Sequence, residues 1–566
     1  MLVGSPWTRT RGRTRMSSKR LAVTLSPLLA LILAAPASAA NRYIDDSGTD
    51  AGANQCLQPT NPCKTINYAL GVGDSTDTYL VGGGTYMENV TIGGAASLIA
   101  SDFKPPATAG AAIVDGGGGT GITSSTSGQI RGVTVRGDTH AILVNDGSPT
   151  ISHDVFDDPQ ANVFGRVDIK SPAQANVATS MFLGVPGDNN NGLAVYSETS
   201  GPVTVAGSTF RHVTDGIWTT QANSITVRDN TILFHSVNAP TEGIAVVLVN
   251  GSGSIVGNRI TAELPGATEA ISLNGGDVSL HANQIRGSTG NVAVSVLNPA
   301  HPVTLDSDLI VLAAGHGIRA SGASMGLRLT NETIAANTGP GQVVTDGPLS
   351  IASSIIGAGG VSAGGGCTIT FSRGPTTAGN SCQRFQTSAN PRFVSATNFH
   401  LLPRSLLIDA GNPLAPPVGA TDADGNPRAL DGNRDCIARR DMGAFELKAK
   451  PCVRPKCKLK PTSSQVSLTN GLLTLRTRCN QKVGVTLAGR VKIRKASGKT
   501  SSLALGPITA KLNRDVAKTL KLKLPKVARQ ALAKGAKESA RFKLTAKNLN
   551  GATGAAKARI KHLTAA

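Results

Sequence analysis

The chain has 566 residues, enough for several domains, and its charge is unevenly distributed. Residues 447–566 contain 29 Lys and Arg and two acidic residues, a net charge of +27, whereas residues 40–446 carry −12. Only 3% of the chain is aromatic, so stacking rings do not accompany the basic residues, and we expect no nucleic-acid partner. Sixty-five Gly and many Asn, Ser, Thr and Val residues argue against helical repeats and favour strands and turns.

The N-terminus is typical of a signal peptide at residues 1–39. A basic stretch precedes the apolar run Leu21–Pro36, and Ala37-Ser38-Ala39 favours cleavage after Ala39. We expect Met16 to be the true start, because the arginines before it lie far from the apolar run. The run is shorter than the ~20 residues that a membrane span needs. We therefore expect a secreted mature chain without a transmembrane segment, at the cell surface or in the medium.

Eight cysteines agree with an oxidising compartment. Cys56 and Cys63 are expected to close a small loop near the start of the mature chain, and Cys367 and Cys382 to bracket a Gly-rich insertion. A zinc site is not supported, since no Cys-x-x-Cys pair is present. Four further cysteines allow three pairings that the sequence does not distinguish. They are Cys436, Cys452, Cys457 and Cys479.

A short phrase, apolar-x-x-polar-x-apolar, recurs through the middle of the chain, as in Ile255–Ile260. Its fourth position returns every 21 to 28 residues, a period that indicates stacked repeats. Each repeat holds too few apolar residues for a core of its own, so stacking must supply the stability. The fourth positions are Val133, Asp154, Ser180, Ser208, Asn230, Asn258, Asn283, Asp308, Glu332 and Ser354.

These repeats predict an all-β chain with a parallel β-solenoid, whose coils lie ~4.8 Å apart. Asn, Ser or Asp at the fourth position can sit at a bend and bond the neighbouring coil, which makes a ladder along the stack. We interpret that ladder as structural rather than catalytic.

The two ends of the repeat region resemble known proteins. The segment from Pro62-Cys63-Lys64-Thr65-Ile66 to Gly84-Thr85-Tyr86 resembles the opening of right-handed parallel β-helix proteins of the pectin-lyase-like superfamily, where a capping helix precedes the first coil. Asp409-Ala410-Gly411 and residues 422–428 and 441–446 resemble the closing segment of choice-of-anchor Q surface proteins. The resemblance covers residues 43–446 and implies a right-handed β-helix at 41–400 and a closing segment at 401–446. The superfamily contains lyases, hydrolases, adhesins and proteins without known activity, so it does not fix function.

The full motif pattern of a hydrolase of that superfamily is not present. Asp157-Asp158 and Gly315-His316-Gly317 are similar to its motifs, but the expected Asn-Thr-Asp and Arg-Ile-Lys are absent and the spacing is too long. His316 also occupies a place where other coils carry an acidic residue, so the repeat accounts for it.

Acidic residues at the same place in successive coils form a candidate ligand site. Asp215, Glu242 and Glu269 each precede the second strand of consecutive coils and are expected to form a carboxylate stripe at ~5 Å steps. Carboxylates so close together repel unless a cation such as Ca²⁺ lies between them. Trp218 lies three residues after Asp215 and could hold a sugar. The alternative is that these acids are solvated turn residues.

A second candidate calcium site lies in the closing segment. Asp422, Asp424, Asn426 and Asp431 supply the alternating oxygen donors of a calcium loop, although the Glu of an EF-hand is missing. The alternative is a turn-rich cap in which Asp and Asn side chains bond their own backbone.

The basic tail begins with a Lys/Pro linker at 447–461 and continues as an alternating strand pattern at 462–566, which predicts a β-sandwich resembling immunoglobulin-like modules. Its charge suits an anionic cell-wall polymer, a polysaccharide or the acidic solenoid, and a soluble Lys-rich spacer is the alternative. We expect a non-catalytic glycan-binding or display protein, and the alternative is a polysaccharide lyase or glycoside hydrolase acting on acidic polysaccharide.

Overall fold

The computed structural model describes residues 39–103, 111–157, 165–185, 192–221, 224–234, 243–263, 269–288, 290, 292–375, 382, 385–413, 421–495 and 497–566. The predicted signal peptide, apart from Ala39, lies outside these residues. Nearly all regular structure is β, and a parallel β-solenoid is followed by a second β-rich region, which confirms the predicted fold class.

Three parallel sheets run along the solenoid in the described part of the chain. The first sheet has 14 strands: Asn41–Ile44, Thr78–Val81, Ser97–Ala100, Gln129–Arg131, Thr150–Ser152, Ala175–Ala178, Pro202–Ala206, Ser224–Arg228, Gly253–Val256, Val278–His281, Val303–Asp306, Leu327–Thr330, Leu349–Ala352 and Cys367–Thr370. The second has 12: Val90–Gly94, Thr120–Thr126, His140–Val144, Val167–Ile169, Leu193–Ser197, Asp215–Thr220, Ile244–Val249, Glu269–Asn274, Val292–Leu297, His316–Ser321, Val343–Thr345 and Val361–Ala363. The third has 12: Gly84–Met87, Ala112–Asp115, Thr134–Arg136, Val155–Phe156, Met181–Leu183, Thr209–Val213, Thr231–Phe234, Arg259–Ala262, Gln284–Ser288, Leu309–Ala313, Thr333–Ala335 and Ile355–Ile356.

The recurring phrase forms the corner between the first and third sheets. Its third residue has a positive φ at all ten copies, and Phe371 adopts the same conformation before Ser372 on the next coil, so the chain turns sharply at this corner. Asp, Asn and Gly tolerate this conformation, and the buried stack compensates its cost where other residues occupy it. The apolar residue two places after the ladder position points inward, and Phe156, Phe182 and Phe210 stack there at 4.6 Å between ring centroids.

The predicted ladder is present at this corner. The backbone N–H of each ladder residue donates to the side-chain oxygen of the next, through ten hydrogen bonds of 2.7–3.3 Å from Val133 to Ser372. All the polar ladder residues from Asp154 to Ser372 are buried. The polar position of the repeat therefore stabilises the stack.

The first coil is capped as the resemblance implies. The helix Ile66–Val72 has Thr65 as its N-cap, and Glu88 accepts the N–H groups of Ile66 and Asn67 at 2.8 Å. These bonds satisfy donors that the helix leaves free at its N-terminus.

The closing segment packs along the third sheet. The last described solenoid strand ends at Thr370, well before residue 400. The described residues between Thr370 and Cys457 form no further named strand. Phe445 and Phe399 join Leu309 and Val311 in a small core. The backbone N–H of Ala444 donates to the hydroxyl of Thr333 at 2.8 Å.

The C-terminal module consists of two sheets around one core, with a short helix at Lys526–Ala533. Its first strand lies inside the predicted linker and pairs with Leu472–Cys479, so the module starts by Cys457. The three-stranded sheet comprises Cys457–Pro461, Leu472–Cys479 and Lys518–Lys523, and the five-stranded sheet Gln465–Val466, Val483–Arg494, Thr500–Leu512, Lys537–Asn548 and Thr553–Ala565.

All eight cysteines form disulfides. Cys56–Cys63 and Cys367–Cys382 pair as predicted, and the pairs that the sequence left open are Cys436–Cys452 and Cys457–Cys479. In the part of the chain that the structure describes, no helix has the length and apolar character needed to cross a membrane.

Candidate functional site

The predicted carboxylate stripe is interrupted by the register of the second sheet. Ile217 pairs with Val246, and Ile244 pairs with Glu269, so Ile244 lies between Asp215 and Glu269 in the stack. Glu242 lies outside the described residues. A continuous stripe requires Ile217 to align with Ile244, and the observed pairing with Val246 differs from that alignment by two residues.

The two described acids of the stripe each bond a neighbouring coil. Asp215 accepts the backbone N–H of Ile244 at 2.9 Å. Glu269 bonds the hydroxyls of Ser272 and Ser295, and its burial outweighs these bonds and raises its pKa. Both acids thus contribute to the stacking of coils, and calcium binding by the stripe remains a prediction.

Trp218 lies beside a second aromatic residue on the same sheet. Tyr196 pairs with Trp218 in register on adjacent strands, and both rings are partly exposed. The ammonium group of Lys170 lies 5.5 Å from the centre of the Tyr196 ring. Two aromatic side chains on neighbouring strands are thus combined with a cation at one polar edge of the pair.

A network of charged groups supports this edge. Asp168 is completely buried, and one of its oxygens lies 3.0 Å from Nε2 of His140 and 3.1 Å from Nζ of Lys170. Nζ also lies 2.9 Å from Glu198. Burial lowers the pKa of Lys170, but its bonds to Glu198 and Asp168 outweigh this effect, so the pKa is raised. Asp168 and Lys170 could not be recognised as site residues from the sequence, because only the register brings them beside the aromatic pair.

The residues that resemble a hydrolase motif are engaged elsewhere. Both oxygens of Asp157 accept bonds of 2.7 Å from the guanidinium of Arg136. Asp158 lies outside the described residues. Nδ1 of His316 lies 2.8 Å from the carbonyl of Gly341 on the next coil.

The structure does not bring the predicted calcium ligands of the closing segment together as one set. Asp422 accepts backbone N–H groups from Asp424, Asn426 and Glu446, and also the side-chain amide of Asn426. Asp431 accepts those of Asp435 and Cys436. Among the described residues, Asp431 belongs to groups of three His, Cys, Asp or Glu side chains whose ligand atoms lie within 4.8 Å of one another. Neither Asp422 nor Asp424 belongs to such a group. Calcium here also remains a prediction.

Asp424 instead lines a cleft between the third sheet and the closing segment. One of its oxygens lies 2.6 Å from Nε2 of His400, and the other accepts the side-chain amide of Gln284 at 3.2 Å. The His400 ring stacks on Phe445 with 3.9 Å between centroids. The cleft has a volume of about 450 Å³ and a neighbouring one about 360 Å³, and Arg259 lines both.

The outer faces of the C-terminal module are strongly cationic. Arg490 pairs in register with Arg541, and Arg541 with Arg559, on three adjacent strands of the five-stranded sheet. All three are exposed, and none forms an ion pair within the described residues. The module's two acids do not neutralise this face, because Asp515 pairs with Arg478 and Glu538 is buried.

The opposite sheet carries cations too. Lys458 pairs with Arg478 and Lys460 with Arg476, and all four are exposed. Like charges on directly opposite residues destabilise a sheet. Fold stability alone therefore does not account for these cationic rows.

Comparisons with known proteins do not assign the chain to a family. No family model and no curated protein matches it. One solved structure, of XylC in complex with xylose, is similar over 85% of this chain and 100% of its own, with 8% identity and a TM-score of 0.29. That similarity is too weak to indicate the fold or the function of this chain.

Proposed function

We propose that this is a secreted, non-catalytic, glycan-binding β-helix protein that attaches to an anionic cell-surface polymer through its C-terminal module. The observation that carries the proposal is the row of in-register arginines, Arg490, Arg541 and Arg559. Neighbouring strands lie ~4.8 Å apart, so the row presents closely spaced positive charges to a chain of anionic groups. Four disulfides agree with an extracellular compartment.

A polyanion would relieve the repulsion within this row, because each bound anionic group lies between cations that otherwise repel. The interaction should weaken as salt is added, since exposed charges are screened over ~10 Å at 0.1 M salt. A spacer with a merely soluble surface needs no such alignment of arginines across three strands.

Replacing Arg490, Arg541 and Arg559 together by Gln is expected to reduce binding of the mature protein to an anionic wall polymer about tenfold or more at low salt. The melting temperature should stay unchanged or rise, because the substitutions remove like-charge pairs. Co-sedimentation with wall material across a salt series measures the first effect, and thermal unfolding the second.

The matched control replaces three exposed solenoid arginines by Gln, which changes the net charge equally. They are Arg131, Arg211 and Arg328. If this control loses as much binding as the module variant, the total charge matters and the row does not. If wild-type binding is absent, the spacer interpretation replaces our proposal.

Catalysis is the less favoured alternative. A lyase acting on the second sheet would need a base, and Lys170 is the basic group beside the aromatic pair. Its pKa is raised by Glu198 and Asp168 despite burial, so it stays protonated at neutral pH and is a poor base. A protonated lysine that is held by Asp168 and Glu198 instead suits the recognition of an acidic or hydroxylated sugar.

The aromatic pair of the second sheet is our second proposed binding surface. Trp218→Ala should lower retention on a neutral or acidic polysaccharide severalfold, because stacking area is lost, and it should not change calcium affinity, because the ring offers no oxygen ligand. Affinity electrophoresis in polysaccharide gels measures retention.

Leu297→Ala is the matched control for Trp218→Ala, since it removes an exposed apolar side chain from the same sheet. Equal retention of wild type and Trp218→Ala would show that the aromatic pair is not a sugar platform. Equal loss in both variants would show that any apolar truncation on this sheet has the effect.

A further inference from the structure

The cleft between the third sheet and the closing segment has more basic than acidic groups available to a ligand. Each acid at its edge already has a partner: Asp424 lies 2.6 Å from His400, and Glu446 lies 3.1 Å from the guanidinium of Arg428. In the adjoining cleft, Asp229 pairs with Arg228 at 3.2 Å. The two acids that line the main cleft are therefore each engaged by another side chain.

Arg259 has no such partner. Its side chain forms no hydrogen bond or ion pair within the described residues. The pKa of Asp424 is lowered mainly by its bond to His400, and Arg259 is close enough to add to that effect. Lys448 also lines the cleft. Arg286 lies near Arg259 in the sheet, and the repulsion between them adds to burial in lowering the pKa of Arg286.

The wall of the cleft is held rigidly. Gln284 is buried and donates both to the carbonyl of Ala423 at 2.9 Å and to Asp424, which fastens the closing segment to the solenoid. Both ring nitrogens of His400 face acceptor oxygens at 2.6 Å, from Asn398 and Asp424. A ligand bound by the exposed side chain of Arg259 would thus meet preorganised polar groups on this wall.

We propose that this cleft binds one small acidic saccharide through its carboxylate or sulfate group, with the guanidinium of Arg259 as the main ligand. A guanidinium can donate two parallel hydrogen bonds to either oxyanion. A volume of about 450 Å³ accommodates a single sugar ring beside the anionic group. Asp424 and Asn426 lie where they can accept from or donate to sugar hydroxyls. This site is separate from the C-terminal module and does not depend on it.

Titration calorimetry of the full mature protein with glucuronate, glucose 6-sulfate and glucose tests the proposal. We expect binding of at least one charged sugar and much weaker binding of glucose. Arg259→Gln should weaken the charged ligand about tenfold or more, as expected for a charge-assisted bond. All of these measurements are made in a background protein in which Arg490, Arg541 and Arg559 are replaced by Gln. The arginine row of the module then cannot contribute to the binding of the sugar.

Arg228→Gln is the matched control, because Arg228 is an exposed arginine on the neighbouring first sheet that already pairs with Asp229. It should bind the charged sugar as the background does. The proposal is overturned if no charged sugar binds, if glucose binds equally well, or if Arg259→Gln binds as the background does. Preference between glucuronate and the sulfate ester identifies which oxyanion the cleft takes. Loss of polymer retention in the module variant is a separate result, so the two proposals can fail independently.

Discussion

Replacing Asn258 by Leu is expected to destabilise the solenoid by about 4 kcal/mol. Its side-chain oxygen accepts two bonds from Asn230 at 3.0 Å, and its amide donates to the carbonyl of Val227 and to Asn283 at 2.9 Å. Asn258 is completely buried, so the groups that lose these bonds cannot reach water. Leu would leave several buried polar groups unsatisfied on both adjacent coils, and each such group costs ~1–3 kcal/mol.

Chemical denaturation followed by circular dichroism measures this loss. Asn176→Leu is the control, because Asn176 is exposed on the outer face of the first sheet. We expect little change in that variant. A midpoint for Asn258→Leu that equals the wild type would contradict the ladder as a source of stability, whereas sugar and polymer binding by the folded fraction should be unaffected.

Raising the pH from 5 to 9 is expected to lower the stability of the solenoid. Burial raises the pKa of Asp308 to about 7, and burial together with nearby Asp308 raises the pKa of Glu332 well above its usual value. Below the unfolded pKa values near 4, both states are protonated and this stabilisation is fully present. As pH rises, the unfolded chain loses protons first, so the stabilisation declines through pH 7 and beyond.

Asp308→Asn combined with Glu332→Gln should raise the melting temperature at pH 8 by several degrees and make its dependence on pH shallower. The neutral amides need not be protonated to be buried, and an Asn at 308 can continue the pattern in which ladder amides donate to carbonyls of the preceding coils. Some pH dependence should remain, because burial also raises the pKa of Asp441 to about 8.

Asp346→Asn is the control, because the pKa of Asp346 is shifted in the opposite direction to those of Asp308 and Glu332. Its exposed carboxylate accepts the backbone N–H groups of Ala323 and Gly322, which lower its pKa. Removing that charge should not raise the melting temperature at pH 8. If the double variant behaves like Asp346→Asn, the buried ladder acids are not responsible for the loss of stability at high pH.

The sequence predicted the ladder well, because the polar position has to recur once per coil and must be flanked by inward-facing apolar residues. The register of individual strands was harder to predict from the sequence. In the strand Ile244–Val249, Ile244, Val246 and Leu248 are all apolar, and a shift by two residues keeps the same side chains facing inward. The pattern therefore allows Ile217 to pair with Ile244 or Val246, and the structure selects Val246.

The cleft and the charged network could not be predicted because their residues are distant in sequence. Gln284 and Asp424 are separated by 140 residues, and only the return of the closing segment along the third sheet brings them together. Asp168 and Lys170 resemble any polar pair on a strand until the neighbouring coils place His140 and Tyr196 beside them. The charge of the module was evident from composition, but the alignment of its arginines required the strand pairing.

Incubating the mature protein with a panel of acidic polysaccharides and anionic wall polymers tests the proposed function most directly. Both retention of the protein and the appearance of new reducing or unsaturated ends are scored. We predict retention that falls as salt is raised, without new ends. New ends would contradict the non-catalytic function, and absence of retention at low salt would contradict glycan binding.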